Sequence, residues 1–230
     1  LGGWRKVGVG VCVGWLVALA VYVLALGWPA ANLAFMVVIM AHTASVSQRF
    51  QPWLLQHRLG TQVGLGVLLF LGVSGLVYAP ARQGFERHVA TPLPTSAGIV
   101  VVNPRAALTS IRRGDWLAYR IASRYAGGVA VRSGFGFGPV LALSGDRVAF
   151  ADDGCRVNDT RLPRRPHMPR SGGFVVGPKQ WFVWPEVEVN AYGGGADAVP
   201  EAMLGVALVS EPEIAGRPYR RWFFRKQTIP

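Results

Sequence analysis

From Val7 to Gly27 the chain runs for 21 residues without a formal charge. As a helix rising about 1.5 Å per residue, such a run spans about 30 Å, the thickness of a bilayer hydrocarbon core. Trp28-Pro29 follows it, an aromatic suited to the membrane interface and a residue that stops a helix. Ala30 to Val46 is a second apolar run, interrupted by Asn32, His42, Thr43 and Ser45. Val63 to Ala79 is a third, rich in glycine, with Tyr78 near its end and Pro80 after it.

The charges sharpen this division. Residues 1–80 carry only Arg5, Lys6, Arg49 and Arg58, and all twelve acids follow, from Glu86 onward. The shift predicts a boundary near Pro80, with a membrane part over residues 1–80 and a water-exposed domain over 81–230. With 16% charged and 51% hydrophobic residues, the chain is too apolar for a purely soluble protein, where about 25% charged is usual, and for a disordered one. Two cysteines exclude a disulfide scaffold and a cysteine-rich zinc domain. Cys12 lies in a membrane run, and Cys155 reads as exposed.

If all three runs span, Arg5-Lys6 and the loop Arg49–Arg58 share one side, and the uncharged loop Trp28–Asn32 lies on the other. The positive-inside rule places the basic side in the cytoplasm, and an odd number of spans sends residues 81–230 outside. A two-span arrangement would put one basic flank on the wrong side. A cleaved signal peptide fits the basic flank but not the length, since such cores are about 7–15 residues. His42, Thr43, Ser45 and Ser47 are expected at the cytoplasmic end of run two, as interfacial or helix–helix hydrogen-bonding groups, with an ion or proton path as the alternative. Gly8, Gly10, Gly14, Gly64, Gly66, Gly72 and Gly75 suggest close helix contact.

Beyond Gly98 the pattern is one of short strands. Candidates are Ile99–Val102, Trp116–Ile121, Gly128–Val131, Val140–Leu143, Arg147–Phe150, Phe174–Val176, Trp181–Trp184 and Met203–Val209, punctuated by Gly, Pro, Asp and Asn. No long helical period interrupts them. The fold class is therefore a membrane helical anchor of about three helices plus an all-β exterior domain, an antiparallel barrel or folded sheet. The glycine-rich Gly134–Gly138 lacks the Lys-Ser/Thr of a phosphate loop and reads as a hairpin or a close backbone approach. His88 and His167 have no metal-ligand spacing, and neither a metal nor another cofactor is expected.

The order of short boxes carries more information. Pro92–Ile99 is followed by Arg113-Gly114-Asp115-Trp116, then Val140–Leu143 with Ser144-Gly145-Asp146-Arg147, then Val157-Asn158, and finally Val199-Pro200-Glu201 through Leu204-Gly205. Over roughly residues 90–210 this succession resembles the type I signal peptidase clan, most closely the conjugative-transfer TraF-like peptidases. The resemblance implies a membrane anchor, an all-β exterior catalytic domain, a serine nucleophile and a lysine general base. A serine hydroxyl needs a neighbour to take its proton, and a lysine does so only when burial lowers its pKa.

The family's catalytic residues are not matched. Counting back from Gly98 to the nucleophile position reaches Pro94, with Ser96 two residues away in the slot of the family proline. Counting back from Gly145 to the base position reaches Gly138, followed by Pro139. The three lysines are Lys6, on the other side of the membrane, Lys179 in a later loop and Lys226 in the tail, and no histidine lies near Gly138. The family's late serine-aspartate-arginine box is absent from Val187–Asp197. A peptidase-like fold without peptidase activity is expected, with Ser96 and Lys179 as the only residues to test for a surviving dyad.

Two basic clusters remain, Arg161–Arg170 and Arg217–Lys226. The first reads as a solvated loop. In the second, Arg220, Arg221, Trp222, Phe223, Phe224 and Arg225 alternate charge with aromatic rings, which suits an anionic membrane surface or a protein partner. Single-stranded nucleic acid is the less favoured reading. The expected role is a structural or accessory subunit of a membrane assembly, in the bacterial inner membrane with the β domain in the periplasm. The resemblance suggests conjugation or type IV secretion. An active peptidase processing pilin or exported precursors, and a transporter or channel component, are the alternatives.

Overall fold

The structure is a computed structural model that describes residues 2–54, 56, 58–95, 98–106, 110–126, 128–185, 190–191 and 198–227. Its packing separates two compact units, Leu1–Val101 with Arg220–Ile229, and Val102–Tyr219. This division falls later than the composition shift near Pro80, because residues up to Val101 and the tail both belong to the helical unit.

The first unit contains α1 (Gly2–Leu24), α2 (Pro29–Leu54), α3 (Leu59–Val73), a five-residue π-helical turn (Ser74–Tyr78) and α4 (Ala79–His88). Two stretches are long and apolar enough to cross a membrane, Pro29–Gln51 and Leu59–His88; Gly8–Leu24 is a shorter apolar helix among the described residues. Two of the three expected spans thus meet the length and composition of a crossing helix. The helices turn large apolar side chains outward, including Val9, Leu16, Leu33, Leu68 and Leu76.

Three expectations for this unit are corrected. The helix α2 continues through Arg49 to Leu54, so residues 49–54 are not loop. Its serines do not break it, because Ser45 Oγ and Ser47 Oγ donate back to the carbonyls of Ala41 and Ala44, each at 2.8 Å. In consequence His42 stands near the middle of the helix rather than at its end. The glycines of runs one and three do not mediate contact within the chain: a Cβ at Gly8, Gly10, Gly14, Gly64, Gly66, Gly72 or Gly75 would meet nothing within 4 Å.

Between α1 and α2 the chain reverses at Gly27, whose φ of +88° favours glycine. A Cβ there would also collide with Ile99 and Pro92. Pro92 belongs to β1 (Thr91–Thr95) and Ile99 to β2 (Gly98–Asn103). The tail joins the same unit. Its short strands β15 (Arg221–Trp222) and β16 (Arg225–Lys226) form a hairpin. The buried Gln227 amide binds the Val101 backbone on both sides, accepting from its N–H and donating to its carbonyl, the latter at 3.0 Å.

The second unit is antiparallel in every strand pair described. Within it, β14 (Ile214–Pro218) pairs with the end of β2 and with β3 (Trp116–Ile121), β3 pairs with β6 (Gly134–Ala142), β6 with β11 (Gln180–Val183), and β11 with β13 (Leu208–Ser210). A second sheet runs in the order β10 (Gly173–Val175), β7 (Arg147–Ala151), β8 (Gly154–Val157), β9 (Thr160–Pro163). A small third sheet holds β4 (Arg124–Ala126), β5 (Val129–Val131) and β12 (Asn190–Ala191). Alternation drives the burial. On β7, Val148 and Phe150 point inward between exposed neighbours, and they join Val157, Phe182 and Trp184 in one core.

Two further corrections concern this unit. It is not all-β, because Ala198–Ala207 is a helix, α5, covering most of the expected strand Met203–Val209; only Leu208 and Val209 fall in β13. Ala202, Met203, Val206 and Ala207 form one helical face packed into the core, but ten residues are too few for the period to stand out. Cys155 is buried, not exposed, because the alternation of β8 turns it inward with Val157. Burial pushes its thiol pKa up, against the opposing charge of Arg165.

Candidate functional site

Three of the boxes, Arg113-Gly114-Asp115, Gly145-Asp146 and Val157-Asn158, are tied together in the second unit. Asp146, in the turn before β7, accepts four hydrogen bonds. Arg113 donates twice, from Nη2 at 2.6 Å to Oδ1 and from Nε at 3.0 Å to Oδ2. The Leu143 N–H reaches Oδ2 at 2.7 Å, and Asn158 Nδ2 reaches Oδ1 at 2.9 Å. A carboxylate offers about four lone-pair sites, and all are taken. The Arg113 side chain, foremost, holds the Asp146 carboxyl below its usual range, with Leu143 and Asn158 adding to the effect against partial burial. Asn158 also accepts from the Arg147 N–H at 2.9 Å, so the glycine-aspartate and valine-asparagine boxes lock each other.

The arginine-glycine-aspartate box is built into the same frame. Gly114, at φ +83°, donates its N–H to the Val140 carbonyl at 2.8 Å, and Val140 returns an N–H to the Asp115 carbonyl at 2.8 Å. The Asp115 carboxylate accepts from the Arg112 N–H at 2.8 Å and from Arg217 Nη2 at 2.7 Å. The acids of both boxes are therefore engaged in holding turns.

The position that the resemblance would give to a general base is tightly packed. Gly138 lies in β6, and a Cβ added there would stand 2.6 Å from the Trp184 carbonyl oxygen and 3.2 Å from Val183. A lysine side chain has no space at that point without moving backbone. Gly136, two residues earlier, lies against the Tyr119 ring in the same way, which is the close backbone approach expected of the glycine-rich segment. Lys179 is exposed, has a φ of +56°, and its Nζ is 3.3 Å from Glu211 Oε2. Ser96 lies outside the described residues, as do residues 187–189 and 192–197 of the late box. Pro94 is in β1 of the first unit.

No family model and no curated protein matches this chain.

The tail residues divide into two groups. Trp222 Nε1 donates to the Val23 carbonyl at 2.7 Å, and Arg225 Nη2 donates to the Leu26 carbonyl at 3.1 Å while lying over the Trp28 ring at 5.4 Å. These two side chains add donors to carbonyls at and beyond the end of α1, where Val23 also accepts from the Leu26 N–H at 3.4 Å, and a cation there suits the helix dipole. Phe223 and Phe224 at the hairpin tip are exposed, Phe224 by 93%, and Arg220 and Arg221 are also exposed. Phe223 and Phe224, with Val21, Leu24 and Trp28, border an apolar groove of about 450 Å³.

A second polar group, not singled out by motif, lies among the helices. Tyr78, buried at the end of the π-helical turn, brings its hydroxyl to 2.9 Å from His42 Nδ1 and to 3.1 Å from Trp15 Nε1, which donates to it. This joins α1, α2 and the α3–α4 helix by hydrogen bonds within an apolar core of Ala18, Val38, Ile39 and Val73. The helix–helix bonding expected for His42 is found. Its partner Tyr78 was legible only as the aromatic end of run three. Among the described residues no group of three His, Cys, Asp or Glu is placed to hold a metal.

Proposed function

We propose that this protein is a membrane-anchored, signal-peptidase-like protein without the peptidase dyad, acting as a structural or accessory subunit of a membrane assembly. The observation that carries the reading is Gly138: where the family resemblance asks for the general base, a glycine stands against the Trp184 carbonyl and leaves no volume for a side chain. The four-fold saturation of Asp146 and the pairing of Lys179 with Glu211 support it. In this reading α1 is the third span. The N-terminus and the Arg49–Arg58 region are cytoplasmic, and the β unit is in the periplasm of a bacterial cell. The open glycine faces, and an apolar groove of about 480 Å³ lined by Gly66, Gly72, Phe50 and Trp53, are surfaces for lipid or a partner helix. A conjugation or type IV secretion apparatus is the proposed setting.

The test is purification of the full chain in mild detergent with identification of co-purifying proteins, alongside a cleavage assay on signal-peptide and pilin precursors. The expected result is a defined membrane-protein partner and no cleavage. Isolation as a lone monomer, or cleavage that is lost on Ser96→Ala, would overturn the reading. The Trp15–Tyr78–His42 group favours a transport component as a second reading, since polar groups at mid-span often mark an ion path. Full function and assembly of a His42→Ala variant would count against it.

A further inference from the structure

At the end of the helical unit where α1 turns into α2, a cavity of about 220 Å³ is lined by Tyr22, Asn32 and Arg82, with Leu26, Pro94 and Ile99 among its apolar walls. Tyr22 is 5% exposed, and its hydroxyl has no hydrogen-bond partner among the described residues. The ring cannot readily swing away to find one. It packs on Phe35 at a centroid distance of 4.9 Å and near Phe85 at 6.3 Å. A buried hydroxyl left unpaired is costly, so a polar group from outside the chain is the expected occupant.

The other polar walls define that occupant. Arg82 donates through Nε to Glu86 at 2.8 Å and lies over Phe35 at 5.6 Å, and these contacts leave its terminal nitrogens without a hydrogen bond among the described residues. Asn32 adds an amide at the rim. A hydroxyl, a guanidinium and an amide together suit an oxyanion better than a cation or a neutral ring. On the membrane reading, the end of a span is the depth of a headgroup. The cavity sits where α1 ends at Leu24 and α2 begins at Pro29, and Val21, Leu33 and Trp28 present exposed apolar surface nearby.

We infer that this cavity binds the phosphate of a glycerophospholipid headgroup, with Tyr22 and Arg82 as its donors and the acyl chains lying on the exposed faces of α1 and α2. The volume holds a phosphate and part of the glycerol, not a whole lipid. The inference rests on the membrane reading of the helical unit.

The test uses the full chain, delipidated in a neutral detergent and titrated with short-chain phosphatidylglycerol or with inorganic phosphate, followed by thermal unfolding. The lipid is expected to raise the melting temperature in a saturable manner. Tyr22→Phe keeps the ring stack and removes only the hydroxyl, so it should melt normally without lipid and bind lipid about tenfold more weakly, as loss of one charged hydrogen bond implies. Arg82→Gln should weaken binding at least as much. Equal affinity in wild type and Tyr22→Phe would overturn the inference, as would no lipid-induced shift, which would leave water as the partner of the hydroxyl. The full shift with inorganic phosphate alone would overturn the lipid assignment. A chain that stays in solution without detergent would fail the membrane reading itself, which separates the two failures.

Discussion

Replacing Asp146 by alanine strips the acceptor from Arg113, the Leu143 N–H and Asn158 together. The three losses are unequal. The Arg113 side chain is 43% exposed, so its ion pair is screened and contributes at most about 1 kcal/mol. The Leu143 N–H is half-buried in the turn before β7, and losing its charged acceptor costs about 1.5–3 kcal/mol. Asn158 is exposed and contributes less than about 1 kcal/mol. Allowing for overlap among neighbours, the loss is about 3 kcal/mol, or roughly 6–12 °C in melting temperature for a chain of this size. The assay is thermal unfolding of the full chain in detergent, followed by near-UV circular dichroism. Because Arg113 lowers the folded-state pKa of Asp146, the contribution is complete above the unfolded pKa of about 4 and disappears as the pH falls through the lower folded value. Asp146→Asn should therefore flatten the acid limb of stability. A melting temperature within about 1 °C of wild type for Asp146→Ala would falsify the structural role given to this carboxylate.

Other consequences follow from single contacts. Gly138→Lys should destabilise the β unit by about 1–3 kcal/mol and confer no cleavage activity, since its Cβ meets the Trp184 carbonyl; soluble, normally melting protein with cleavage activity would contradict this. Trp222→Ala should cost about 3–5 kcal/mol and make the tail more sensitive to limited proteolysis, because a buried ring is removed and the Val23 carbonyl loses its shorter donor; unchanged digestion would refute the capping role. Phe224→Trp should leave stability within about 0.5 kcal/mol, and its added fluorescence should be quenched by brominated lipid if the hairpin tip meets the bilayer; no added quenching would remove the tip from the membrane surface. Cys155 should resist maleimide in the folded protein and react on unfolding, whereas rapid native labelling would contradict its burial.

Much of the fold was legible locally. The uncharged runs and the strand Trp116–Ile121 follow from composition and alternation, and the observed strand has those same ends. Where short-range pattern was ambiguous, it failed. Met203–Val209 has too few residues to separate a helical face from an apolar strand, and tertiary packing of Ala202, Met203 and Ala207 selected the helix. Cys155 read as exposed, yet strand alternation turns it into the core. The candidate site was legible as an order of boxes, but not as chemistry.

By itself, the sequence determined where apolar helices and short strands lie, because hydrophobic periodicity acts over neighbouring residues and water sorts each face. Only the tertiary structure decided what the polar residues do. Trp222 reaches Val23 across 199 positions, Tyr78 meets His42 across 36, and Arg113 meets Asp146 across 33. No local pattern encodes such pairs. They exist because burial leaves each donor and acceptor to find a partner in space, and at Gly138 the same packing leaves no room for the base that the boxes around it suggest.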